Sequence, residues 1–268
     1  MEAYSEFAKL YDGFMEDVPY DEWFEFVKKT LYEDNIINGI ICELGAGTGN
    51  FTMRLAEVGF DMIGIDNSDD MLNVALHKKD EYEYTEDPVN RVSDIMYLNQ
   101  DMREFELYGT VKAIVSVFDS INYLLEDEEI IQTFKLVNNY LDPKGLFIFD
   151  FNTLHKYRDV IGDSTIADSS DEASFIWSNY FDKETNINEY EITFFVASDN
   201  ENDDSMYRRF DEFHYQRGYT LDEIKTFLQE AGLEFIGAYD ADGFKETSDD
   251  SERIFVVARE SGKTPVSE

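Results

Sequence analysis

Hydrophobic positions along this chain follow three rhythms. Near the start they fall on single helical faces: Tyr4, Phe7, Ala8 and Tyr11 share one, and Trp23, Phe26, Val27, Thr30 and Leu31 another, at the spacing that stripes one side of a helix. Pro19 suits the first turn of the second helix, where its missing N–H is not needed. From Ile40 the rhythm becomes short unbroken apolar runs separated by amphipathic stretches. Residues 40–44 predict a strand buried on both faces, 50–58 a helix stopped by Gly59, 61–65 a second strand, and 68–77 a helix capped by Ser68. The polar stretch 78–93, with Pro88, predicts a loop or a frayed helix end. Strands follow at 95–98 and 111–118, and then a helix over 128–141 with Ile130, Phe134, Val137 and Leu141 inward. The sequence DPKGLFIFDFN reads as a turn feeding a fifth strand, 146–151.

After Asn152 the period changes to two. Residues 174–196 and 206–216 alternate as antiparallel strands do, broken by the acidic turn SDNENDDS. The helical rhythm then resumes: Thr220 and Glu223 form a capping box, Leu221, Ile224, Phe227, Leu228 and Ala231 make an apolar face, and Gly232 stops it. Strands at 233–239 and 253–258 complete the pattern. Strands alternating with helices imply right-handed crossovers. The expected class is therefore α/β, a Rossmann-like seven-stranded, mostly parallel sheet with helices on both faces and an inserted antiparallel β lid. Ligands of such a sheet bind at its carboxyl edge.

Composition narrows the function. A chain of 268 residues, 43% hydrophobic and 15% aromatic, can bury one large core. No apolar run approaches the roughly 20 residues that a bilayer requires, and the acidic, aromatic start lacks the form of a secretory signal. With Cys42 as the single cysteine, no internal disulfide can form, and a reducing, cytoplasmic setting is expected. The 59 acidic against 22 basic residues give a net charge of −37, a field that repels phosphate backbones and anionic lipid surfaces. Neither a nucleic-acid nor a membrane partner is expected; the charge reads as a solvated surface or as lineage bias.

Between the first strand and its helix stand Gly45, Gly47 and Gly49, with Glu43 two positions ahead. Glycines there let a backbone turn sharply and approach a ligand closely. A dinucleotide fingerprint spaces its glycines G-x-G-x-x-G to seat a pyrophosphate; here they alternate as G-x-G-x-G. The run Glu43-Leu44-Gly45-Ala46-Gly47-Thr48-Gly49 resembles motif I of the class I S-adenosylmethionine-dependent methyltransferases. The resemblance implies S-adenosyl-L-methionine as cofactor, a ligand without phosphate whose cationic end gains from Glu43. Asp66, ending the second strand, is placed to take both ribose hydroxyls, although dehydrogenases use an acid there too and a helix-capping role is the plain alternative. Asn67 and Met71 follow it in the implied cofactor set.

Further segments extend the resemblance. In LNQDMREF, Asp101 would accept from the adenine amine and Met102 would pack on the ring. VFDSINYL is similar to motif IV of small-molecule methyltransferases, where Phe118 and Asp119 approach the cofactor and Ser120 to Tyr123, Asn122 included, face the acceptor. The C-terminal stretch resembles the closing helix and antiparallel hairpin of that fold. The N-terminal stretch is similar to bacterial small-molecule members, among them sugar-amine N-methyltransferases, in which first-helix tyrosines cover the methionine end of the cofactor. Tyr4 and Tyr11 hold those places here, Tyr4 on the acceptor side, with ordinary core aromatics as the alternative; Trp23 reads as core. The implied division is a helical cap at 1–38, a cofactor-binding core at 39–152, the β lid at 153–218, a helix and hairpin at 219–260 that complete the core, and a disordered tail at 261–268.

The implied reaction is in-line methyl transfer, which asks a protein mainly to align groups, exclude water and remove a proton. Cys42 lies inside the first strand, so thiolate-adduct chemistry on pyrimidines has no nucleophile, and the N-P-P-Y type tetrapeptide is absent where Phe118-Asp119-Ser120-Ile121 stands. His214 is the candidate base, with Tyr11 as the second candidate catalytic group; a structural histidine is the plain alternative. Arg217 can clamp a substrate carboxylate or neutralise nearby acids. Asp150 and Asn152 are oxygen ligands in principle, but no metal is expected. A monomer or homodimer methylating N or O of a small molecule is the leading expectation. A non-catalytic cofactor-binding regulator and a nicotinamide-dependent oxidoreductase are the alternatives.

Overall fold

The computed structural model describes residues 19–82, 89–169, 173–197 and 206–264. The first expected helix with Tyr4 and Tyr11, Pro88, the SDNENDDS turn and the end of the tail lie outside the described residues. The rest builds a seven-stranded sheet, in the order Leu233–Asp240, Arg253–Glu260, Leu141–Asn152, Val111–Ser116, Gly39–Leu44, Phe60–Asp66 and Met96–Asn99, and a separate four-stranded sheet.

The first helix described, α1 (Tyr20–Glu33), buries Trp23, Val27 and Leu31, the predicted stripe, with Pro19 one position earlier, at its N-cap. Strand β1 (Gly39–Leu44) leads through the glycine loop into α2 (Asn50–Glu57). Strand β2 (Phe60–Asp66) leads into α3 (Asp69–Glu81), whose N-cap Ser68 accepts from the Met71 amide. Helix α3 runs four residues past the apolar signal because its last turn is solvated; Lys78 and Lys79 there suit the negative end of the helix dipole. Strand β3 (Met96–Asn99) is the sheet edge.

Strand β4 (Val111–Ser116) stops two residues short of the expected end, where Phe118 and Asp119 turn to φ +62° and +50°. Helix α4 (Asp127–Tyr140) is capped by Glu126 and Glu129 and buries Ile130, Phe134 and Val137. Strand β5 (Leu141–Asn152) takes in the DPKG turn as an irregularity: Val111 pairs with Leu141 and Ala113 with Leu146. A π-helical turn, Lys156–Ile161, follows.

The inserted sheet comprises β6 (Thr165–Ser169), β7 (Ala173–Asp182), β8 (Ile187–Ala197) and β9 (Tyr207–Arg217), all antiparallel. Strand β6 escaped the sequence reading because every residue in it is exposed, so no alternation marks it. Helix α5 (Leu221–Glu230) carries the Thr220–Glu223 capping box, and β10 (Leu233–Asp240) and β11 (Arg253–Glu260) close the main sheet, β11 antiparallel to both neighbours.

Two apolar layers flank that sheet. One joins α4 and α5 to Cys42, Leu44, Ile114, Phe147 and Phe149; the other joins α1 and α2 to Ile41, Met62, Val115, Ile148 and Phe255. Successive strand residues thus feed opposite layers, which is why the central strands read as unbroken apolar runs. Among the described residues, no helix is long and apolar enough to cross a membrane.

Candidate active site

Strand β1 lies between β2 and β4, the point where the order of the parallel strands reverses. Loops leaving the carboxyl ends on either side part there and open a crevice. The glycine loop fills its floor. The Gly45 and Ala46 amides donate to the Ile65 carbonyl at 2.8 and 2.9 Å, and Gly45, Gly47 and Gly49 have φ of +74°, +53° and +80°. A Cβ on Gly45 would collide with Ser120, and one on Gly49 with Tyr97, whereas one on Gly47 would meet nothing within 4 Å. The loop is therefore packed from below and open at Gly47, a fit to a ligand that approaches the backbone.

Asp66 is tied to that loop. One carboxylate oxygen accepts from the Gly47 amide at 2.8 Å and the other from the Ser68 amide at 2.9 Å. Burial pushes its carboxyl up, and the amides of Ser68, Gly47 and Asn67 oppose this. Beneath lies Glu43, 1% exposed, which accepts a hydrogen bond from Thr52. Its carboxyl is pushed up to about 8 by burial, with Thr52 lowering it and Asp66 raising it. Tyr97, which the sequence reading missed, brings a buried hydroxyl to the same place: burial raises its pKa, Glu43 adds to that, and Thr52 opposes it.

Along the crevice, Asp101 is bound by Arg103, which holds its carboxyl below the usual range and bridges onward to Glu129 at 2.5 Å. Met102 packs on the α4 side of the core. Met71 packs against Tyr190, Ile192 and Phe194 of β8, so the inserted sheet turns its apolar face toward the start of α3. Phe118 lies against Tyr20, Trp23 and Phe51, with centroids at 4.3, 5.1 and 6.2 Å.

The ends of β4 and β5 carry a polar network that sequence reasoning largely missed. Arg253, at the start of β11, bonds Asp119 and the fully buried Asp150 and lies over the Trp23 ring at 4.8 Å. Burial works against its charge, but the two carboxylates raise its pKa overall and hold it ionised. The Asp119 amide donates to Asp150 at 3.2 Å, bracing the left-handed turn. Gln216 of β9 donates to Asp119 at 2.7 Å and accepts from the Tyr157 hydroxyl at 2.5 Å; Tyr157 accepts from Asn152 at 2.8 Å, and Lys156 donates to Asn152 at 3.0 Å. Burial brings the Lys156 amine down to about 8, and Arg253 adds to that. Asp150 is thus committed to Arg253.

His214 stacks on Tyr190 at 5.2 Å, and its Nδ1 lies 2.9 Å from the Tyr123 hydroxyl. Burial lowers the imidazole pKa, with Asp119 opposing.

Two expected acceptor contacts are corrected. Asn122 is fully buried; its amide donates to the Asn152 and Arg217 carbonyls at 2.9 and 2.7 Å and accepts from the Asn152 amide at 2.9 Å, tying β5 to β9 with both of its N–H donors spent and no surface facing an acceptor. Arg217 turns instead to the N-terminal acids of α4 and α5, Asp127 at 2.7 Å and Glu223 at 3.3 Å, and to the Leu125 carbonyl, which is the neutralising alternative. Changing Asn122 to alanine orphans buried backbone groups, so a loss of about 2–4 kcal/mol is expected in denaturant unfolding, with the cofactor dissociation constant changed less than about threefold.

Comparison with known proteins places this arrangement. A family described as a methyltransferase domain matches residues 41–145. YqeM of Bacillus subtilis (strain 168), assigned as a methyltransferase, is 36% identical over 98% of this chain and 99% of its own length. Among solved structures, an S-adenosylmethionine-dependent methyltransferase from Clostridium acetobutylicum superposes with a TM-score of 0.83 at 29% identity, covering 97% of this chain and 99% of its own. An amino pentose methyltransferase from Micromonospora echinaspora shares the fold, with a TM-score of 0.68 at 17% identity, covering 91% of this chain and 93% of its own.

Proposed function

Because the chain belongs to the class I S-adenosylmethionine-dependent methyltransferases, we propose that it methylates N or O of a small-molecule acceptor held between the main sheet and the inserted one. The observation that carries this reading is the seating of β8 on Met71 and of His214 on Tyr123. These contacts favour an acceptor space closed over by residues 153–218 acting as a lid on the core at 39–152, too confined for a duplex or a folded protein. The net charge of −37 supports the further reading that the protein acts without nucleic acid or membrane, and the single cysteine, Cys42, fits a cytoplasmic setting; a monomer or homodimer is the assembly assigned to it.

S-adenosylmethionine, when bound, supplies an activated methyl group on a sulfonium, so the protein's own task is to orient and desolvate. In this reading Gly45, Ala46, Gly47 and Gly49 form the cradle, Asp66 with Asn67 holds the ribose, Asp101 and Met102 the adenine, and Phe118 and Met71 close the sides. Glu43 faces the cationic end. The Tyr123 hydroxyl takes the proton from the acceptor while passing its own to His214 Nδ1. Burial lowers the imidazole pKa and so favours the neutral ring this relay needs. Tyr4 and Tyr11 are assigned to the wall beside the methyl group, by resemblance alone.

Calorimetric titration with S-adenosylmethionine and with NAD, followed by methyl transfer from labelled cofactor to a panel of amines, carboxylates and sugar nucleotides, tests the reading. Binding of the methyl donor alone and label on a small amine or hydroxyl are expected. Cofactor binding without transfer to any acceptor would favour the regulatory alternative, and label found on protein or nucleic acid would overturn the small-molecule acceptor.

A further inference from the structure

We propose that loading the cationic cofactor expels a proton from Glu43, so that this carboxyl is neutral in the empty site and ionised in the loaded one. The inference rests on Glu43 lying at the cofactor's cationic end, as argued above.

Glu43 stands one residue before the end of β1, with 1% of its surface exposed, directly under the loop that opens at Gly47. Its surroundings hold acids and neutral groups. Helix α2 offers the Thr52 hydroxyl, β2 offers Asp66, β3 offers the buried Tyr97 phenol, and Cys42 is its neighbour on β1; β4 presents Val115 opposite it. No ion pair to Glu43 is found among the described residues, although Asp66 lies close enough to raise its pKa. A buried charge is tolerated only when paired, and otherwise the group takes up a proton. Thr52 donates a single hydrogen bond, which does not replace a counter-ion. The missing positive charge is therefore either a proton or the ligand.

S-adenosylmethionine carries a sulfonium and an ammonium against one carboxylate, a net cation. Its arrival supplies the counter-charge, and the proton on Glu43 leaves to bulk solvent. The sign follows. The carboxyl of the empty site is raised to about 8 by burial, and a bound cation lowers it. Between those two values loading releases a proton and affinity climbs with pH. Above the upper value Glu43 is ionised in both states and this dependence vanishes. Cofactor capture is thereby proton-coupled, whereas a neutral nucleoside fragment gains nothing from the same group.

The test is calorimetry on the full chain in two buffers of different ionisation enthalpy, at about pH 7 and about pH 9. The probes are S-adenosylmethionine and methylthioadenosine, which lacks the ammonium, carboxylate and sulfonium. For the full cofactor, release of close to one proton is expected at about pH 7 and of about none from Glu43 at about pH 9, with the dissociation constant falling about tenfold per pH unit below about pH 8. Glu43→Gln should lose that release, and subtracting its signal removes any titration of the cofactor's own ammonium. Thr52→Val, which withdraws the bond favouring the ionised form, should carry the release to higher pH and keeps the idea testable if the glutamine variant fails to fold. Methylthioadenosine should bind without the proton. Equal release from the wild type and Glu43→Gln, no shift in Thr52→Val, or the same proton released by methylthioadenosine would overturn the proposal. No heat with either probe would instead overturn the cofactor reading itself.

Discussion

Replacing Arg253 with methionine is expected to lower the midpoint of thermal unfolding by roughly 6–20 °C, on a loss of about 3–5 kcal/mol for breaking a buried pair at roughly 2–4 °C per kcal/mol. The guanidinium side chain is 14% exposed, with Asp150 fully buried on one side and Asp119 at 20% on the other. Removing it leaves two carboxylates without their shared partner and withdraws the cation from the Trp23 face. The turn at Phe118 and Asp119 then loses its brace, because the Asp119 amide and carboxylate are both fixed through this cluster. Arg253→Lys should recover only part of the loss, since an ammonium lacks the planar fork that reaches two carboxylates at once. Asp150→Asn in the methionine background should recover more, because it removes the orphaned charge. A scanning calorimetry midpoint within about 2 °C of wild type for Arg253→Met would show that the cluster contributes little.

Replacing Asp66 with alanine is expected to weaken S-adenosylmethionine binding by roughly 10² to 10⁴-fold, the equivalent of two hydrogen bonds to a charged group at about 1.5–3 kcal/mol each. Both its oxygens are already fixed by the Gly47 and Ser68 amides. The carboxylate is therefore pre-aimed, and the variant loses the ligand contacts together with the loop's anchor. Global stability should change far less, since burial opposes the charge in the empty site. Titration calorimetry decides the point: an affinity within threefold of wild type would remove Asp66 from the ribose site.

The core of the fold was readable because strands buried on both faces leave unbroken apolar runs, and because Gly59, Ser68, Thr220 and Gly232 mark helix ends by local chemistry alone. What sequence could not display were elements without an inward face, such as β6, and the π-helical turn at Lys156–Ile161. Within the candidate site, the residues whose placement is legible in advance are those fixed by backbone: the glycines, which packing or φ demands, and Asp66, which its neighbouring amides hold. Asn122 was misread as an acceptor contact because its partners lie 30 and 95 residues away, and Arg217 because Asp127 and the Leu125 carbonyl lie 90 and 92 residues away. Arg253 was missed for the same reason, standing 103 residues from Asp150. One signal was available: a lone cation opening an antiparallel strand must arrive at the carboxyl edge of the parallel ones.

The pairing of β5 with β11 also constrains how the chain is made. Phe151 pairs with Ile254 and Phe147 with Ala258, so this aromatic strand, interior in the finished sheet, has one bare flank until about a hundred later residues have emerged. At ribosomal rates of about 5–20 residues per second that is roughly 5–20 seconds of exposure for an apolar edge. The whole four-stranded insertion is synthesised within this interval. In the finished structure Gln216 reaches Asp119 and Asn122 reaches the Arg217 carbonyl, so the end of the insertion lies beside the carboxyl end of β5; contacts of this kind, once made, shorten the loop that β11 must close.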